Sequence, residues 1–129
     1  MLLFGHRFIQ SESFYHISNI DAIKDTPPSS TIYFDFSEEN LDIITHANLN
    51  HVSMALGVKT VAELIYASAL NASYMIIDKE IAKTAHDIAQ NYLFDAKILV
   101  KISDDEEIEE MAILGVDGVI YSGAIIKII

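Results

Sequence analysis

The chain has 129 residues, of which 51% are apolar; eight Lys/Arg against nineteen Asp/Glu give a formal charge of −11, and cysteine is absent. That length suits one domain with a buried core, and the charge speaks against nucleic acid or anionic membrane partners, which need clustered cations. Without cysteine, disulfides and thiolate metal sites are excluded. No apolar run reaches the roughly 18–20 residues of a membrane helix. The opening MLLFGHRF lacks the cleavage site of a signal peptide, so a soluble, cytoplasmic protein is expected.

In chain order, MLLFGHRFI (1–9) reads as a first strand. SESFYHISNIDAIK (11–24) holds either a short strand or a helix, and DTPPSS (25–30) reads as a loop whose prolines cannot continue a helix. From residue 31 one phrase repeats: a short apolar run rich in β-formers, a helix-start signal, then an amphipathic stretch. TIYFDF (31–36) leads to SEEN, HVSMALGV (51–58) to TVAE, SYMIID (73–78) to KEIAKTAHDIAQ, and AKILVKI (96–102) to SDDE. Ser37 and Asp78 have N-cap chemistry, while Thr60 with Glu63 and Ser103 with Glu106 match the capping box. Val61, Leu64 and Ile65 show helical spacing, as do Ile81, Ala85 and Ile88, then Ile108, Met111 and Ala112 before a stop at Gly115. GVDGVI (115–120) reads as the last strand, with the apolar tail AIIKII (124–129) behind it.

Near-continuous apolar strands alternating with helices predict an α/β fold: one domain over residues 1–129, with a mainly parallel sheet of five or six strands and flanking helices. Either a flavodoxin-like open sheet or a half-barrel-like one satisfies this pattern, the chain being short for a full eight-stranded barrel of ~200 residues or more. Ligands of such sheets bind beyond the carboxyl ends of the strands. That rule selects Asp35, Gly57, Lys59, Asp78, Ser103, Tyr121 and Ser122.

The segment GVDGVIYSGAIIKII resembles the last βα step of phosphate-binding barrels such as the tryptophan synthase alpha subunit, with Asp117, Gly118, Ala124 and Lys127 on the matching positions. The resemblance spans about residues 96–129, and the Ser122-Gly123 turn reverses that family's Gly-Ser order. It implies an anion held by backbone N–H groups of a glycine-containing turn. Gly5-His6-Arg7, taken with the acidic helix and the GVDG segment, resembles glycerophosphodiester phosphodiesterases, whose metal-dependent acid/base chemistry is the minor alternative. The proline-glutamate-asparagine-threonine motif of those enzymes is missing, and TIYFDF supplies only Asp35 for their acidic pair.

Five histidines, His6, His16, His46, His51 and His86, show no HxH or HxxxH spacing. Convergence of His6, His51 and Asp35 is the one route to zinc, and no metal or cofactor is expected. The acidic run from Asp104 to Glu110 fits a solvated first helical turn rather than a calcium loop. FGHRFI lacks the acidic pair of a phosphorylation receiver domain.

Two functions stay open. One is non-catalytic binding of a small phosphate-bearing ligand by Ser122, Gly123 and Gly118, with Lys59 or Arg7 as counter-charge and Asp35 at the same edge. The other is assembly, as a homodimer buried through Ile125, Ile126, Ile128 and Ile129.

Overall fold

A computed structural model describes residues 1–128, so Ile129 of the apolar tail lies outside the described residues. Among the described residues eight strands form one sheet: β1 (Leu2–Phe4), β2 (Phe14–His16), β3 (Thr31–Asp35), β4 (Met54–Gly57), β5 (Tyr74–Ile77), β6 (Lys97–Lys101), β7 (Gly118–Ile120) and β8 (Ile125–Lys127). Their order is β1-β7-β6-β5-β4-β3-β2-β8, and every neighbouring pair is parallel. Four helices, α1 (Leu41–Leu49), α2 (Val61–Ala69), α3 (Ala82–Asn91) and α4 (Glu106–Leu114), make the crossovers between β3 and β7.

The expected α/β class holds, but the expected five or six strands become eight. The additions are β2, inside the segment read as strand or helix, and β8, inside the segment read as an apolar tail. Eight strands fit into so short a chain because three connections contain no α-helix. A loop joins β1 to β2, a 3-10 turn at Ile20–Asp25 lies between β2 and β3, and another at Ser122–Ala124 joins β7 to β8. The predicted first strand shrinks to three residues, since the chain turns at Gly5, whose φ is +81°.

The sheet is curled, and two rings prove it. Phe4 of β1 and Phe14 of β2 stand six places apart in the strand order, about 29 Å in a flat sheet. Their ring centroids are 5.0 Å apart. Tyr74 of β5 touches both, at 5.8 Å and 5.1 Å, from the far side of the curl. The concave face therefore has its own small core, formed by Phe4, Phe14, Tyr33, Ala55, Ile76, Leu99 and Ile120, one residue from each of seven strands, with Ala124 added.

All four helices contribute to a separate, larger core on the convex face, through residues such as Ile43, Leu64, Ala85 and Met111 packed on Ile32, Met54, Met75 and Val119. Helices on one face only make this the half-barrel-like alternative, not the flavodoxin-like one. Strands buried on both faces explain the continuous apolar runs.

Two of the four cap signals act as their side chains dictate. The Thr60 hydroxyl accepts from Glu63 N at 3.1 Å, and Ser37 accepts from Glu39 N at 3.2 Å. The Ser103–Glu106 capping box does not form. Glu107 instead accepts from Ser103 N at 2.9 Å and Asp104 N at 3.1 Å, and α4 starts at Glu106. Asp78 precedes a 3-10 turn without capping it.

Candidate functional site at the carboxyl rim

Side chains alternate along a strand, so the residue two positions beyond each concave-core residue points to the same face one step nearer the carboxyl end. Applied to that core, the rule yields His6, His16, Asp35, Gly57, Asp78, Lys101 and Ser122. An apolar layer is thus followed by a polar rim, where parallel-sheet proteins hold their ligands.

On one side of the rim, Asp35 leans over β4. A Cβ on Gly57 would overlap Asp35 Oδ1 and lie 3.2 Å from the Tyr33 hydroxyl. Tyr33 OH faces Asp35 Oδ1 at 3.4 Å, and its pKa is pushed up to about 12 by burial, then by the Asp35 and Asp78 carboxylates. Lys101 Nζ stands 3.7 Å from Asp78 Oδ1.

On the other side, Asp105 at the start of α4 gathers three donors. Tyr121 OH donates to Oδ1 at 2.6 Å, His6 Nε2 lies 3.2 Å from the same oxygen, and Arg7 reaches Oδ2 at 3.1 Å. Chiefly the Tyr121 hydroxyl, with help from His6 and Arg7, holds the Asp105 carboxyl below the usual range. Phe8 N donates to His6 Nδ1 at 3.1 Å, which leaves the proton of a neutral ring on Nε2, facing Asp105. Both ring nitrogens are engaged inside the protein, so His6 presents no free base to a substrate.

Between the ends of β6 and β7 lies a cleft of about 280 Å³, lined by Lys101, Ser103, Glu107, Tyr121, Ser122 and Ile125 among others. Ser122 and Gly123 open the 3-10 turn there, where the first N–H groups have no acceptor within the turn. Glu107 already takes the N–H groups of Ser103 and Asp104, and Lys79 Nζ lies 3.4 Å from its other oxygen.

Of the residues selected by sequence, Ser122 lines this cleft, Gly123 follows it in the same turn, and Asp35 sits four strands from β7 around the curl. Arg7 is drawn off as counter-charge by Asp105. Lys59 follows β4, three strands from β7, and does not line this cleft. Gly118 starts β7 and is buried, packed between Leu2 and Leu99 below the rim, so it offers a ligand nothing. The cation missed by sequence reading is Lys101, whose position two residues after the core residue Leu99 was the available signal.

The zinc route also fails geometrically: His51 precedes β4 at the amino end of the sheet, whereas Asp35 ends β3 at the carboxyl end. Among the described residues no group of three or more His, Cys, Asp or Glu could hold a metal. The tail read as an exposed dimer anchor is strand β8, paired with β2, and Ile125 and Ile128 pack on the chain's own core. Among the described residues no helix is long and apolar enough to cross a membrane.

Fold and rim together define an α/β protein with an all-parallel curled sheet and a polar carboxyl edge. No protein-family model matches the chain, and no curated protein matches it either.

Proposed function

We propose that the protein binds a small phosphate-bearing ligand in the cleft between the carboxyl ends of β6 and β7, without performing chemistry on it. The observation that carries this reading is the meeting of Lys101, Ser103 and the Ser122 turn on one small concavity. An ammonium, hydroxyls and free turn N–H groups are the donors an anion needs. The engagement of both His6 nitrogens supports binding over catalysis. Thermal-shift titration with inorganic phosphate and small phosphate monoesters tests the reading. Stabilisation that saturates by millimolar ligand, and disappears in Lys101→Met, is the expected result; no stabilisation of the native protein sinks it.

A second reading, self-association, rests on β1 and β8, each of which has a strand neighbour on one side only, and on Ile126 of β8, which is 41% exposed. Light scattering decides it: a monomer at ~100 μM, far above the concentrations that typical dimers need, removes this reading.

A further inference from the structure

Building on the proposed phosphate site, we infer that the rim selects a ligand carrying a primary amine as well as a phosphate, with the ammonium held between Asp35 and Asp78.

Arg7 is matched by Asp105 at 3.1 Å, and Lys79 by Glu107 at 3.4 Å. Among the described residues the one ion-pair partner of Lys101 is Asp78, at 3.7 Å. Asp35 has no Lys, Arg or His within ion-pair distance among the described residues. Before any ligand arrives, the Asp35–Asp78–Lys101 group thus has one carboxylate more than it has cations. Once a phosphate takes Lys101 from Asp78, two carboxylates face the bound ligand unmatched. An ammonium on the ligand restores the balance, whereas a phosphate alone leaves both carboxylates without a cation.

Shape agrees with charge. Gly57 is the rim position between β3 and β5, and its missing side chain leaves room for the Asp35 carboxylate to lean toward β5, the strand that precedes Asp78. Below them, the Tyr33 hydroxyl stays protonated at neutral pH and donates to Asp35, which keeps that carboxylate an acceptor. Lys101, which lines the Ser122 cleft, pairs with Asp78, and the Tyr33 hydroxyl that bonds Asp35 also feels the Asp78 carboxylate, so the two ends of a short aminoalkyl phosphate meet opposite charges on one rim.

Three probes separate the possibilities by isothermal titration calorimetry at low salt: inorganic phosphate, ethyl phosphate and O-phosphoethanolamine. The expected result is O-phosphoethanolamine binding at least about tenfold tighter than ethyl phosphate, which is about 1.4 kcal/mol. Asp35→Asn and Asp78→Asn should each shrink that ratio about threefold or more, while ethyl phosphate still binds. Equal affinity for the two organic probes overturns the inference and leaves the phosphate site standing. A preference that both variants retain also overturns it, because the amine is then held elsewhere. If none of the three probes binds, the phosphate site itself falls, and this inference with it.

Discussion

Asp35 and Gly57, paired residues of neighbouring parallel strands, share one volume: the carboxylate of the first occupies the space that a side chain on the second would need. Gly57→Ala therefore must move something, and what it meets first is the tip of a flexible side chain rather than backbone. We expect a cost of at most about 1 kcal/mol in stability, and a measurable coupling with Asp35→Ala in a double-mutant cycle by urea denaturation. The displaced carboxylate should also weaken the preference for O-phosphoethanolamine. Strict additivity of the two substitutions would show that the contact is not felt.

The ends of three helices repeat one device with different residues. His51, Asn71 and Leu93 each adopt positive φ, of 55°, 68° and 52°, just past α1, α2 and α3. The next residue's N–H then returns to the helix: Val52 to Ala47 O, Ala72 to Ala67 O and Phe94 to Ala89 O. The left-handed position suits Gly or Asn and is strained for Leu. Leu93 is also 82% exposed, so its side chain contributes little packing. Leu93→Gly should stabilise the protein by about 0.5–1 kcal/mol, the strain relieved less the entropy glycine adds to the unfolded chain. A lower denaturation midpoint for this variant would mean that Leu93 makes contacts its exposure conceals.

Acid should expose the two carboxylates that organise the start of α4. The N–H groups of Ser103 and Asp104, with Lys79, hold the Glu107 carboxyl below its usual range, as Tyr121, His6 and Arg7 do for Asp105. A folded-state pKa below the unfolded one gives stability that is complete above the ordinary carboxylate range, about 4, and lost as pH falls through the folded value. The stability gap between the native protein and Glu107→Gln should accordingly narrow from pH 6 to pH 3. Urea midpoints at the two pH values check it, and a gap that holds constant or widens contradicts the assignment.

Much of the architecture was legible because the chain writes each βα unit with an apolar run followed by a cap. TIYFDF, MALG, YMII and KILVK are interior strands whose apolar runs serve both faces of the sheet. Phe14–His16 and Ile125–Lys127 were illegible as strands for a physical reason: three residues carry no periodicity, and their pairing with each other and with Thr31–Tyr33 is a long-range fact. The same limit hid the curl, which rests on the meeting of Phe4 with Phe14. At the rim, position after a strand was readable but partnership was not. Arg7 and Lys59 are the cations that position suggests, yet Asp105 takes the first and strand order keeps the second from Ser122, while Lys101 at the end of β6 lines the cleft. The run of carboxylates from Asp104 to Glu110 offered several capping partners, and Glu107, one residue beyond the expected Glu106, has the reach to accept from both Ser103 and Asp104.

Three of the six tyrosines should titrate late: Tyr74, raised by burial and then by its bond to Glu12, and, near pH 12, Tyr33 and Tyr121. Burial raises Tyr33 to about 12, with Asp35 adding to it, and burial followed by the bond to Asp105 raises Tyr121 to about 12. The ordinary value is about 10. Phenolate absorbance followed against pH should show these two groups ionising near pH 12, after the exposed tyrosines. Tyr121→Phe should remove one late proton, and Asp105→Asn should return Tyr121 toward its ordinary value. The stability consequence has a definite sign. Between about 10 and 12 the unfolded chain releases these protons while the folded one keeps them, so folding weakens as pH rises through that window. Loss of the late protons should therefore make Tyr121→Phe less sensitive to base than the native protein. If all six tyrosines of the folded protein ionise together near pH 10, the enclosure of the Tyr33 hydroxyl beneath the rim and the Tyr121–Asp105 bond are both wrong.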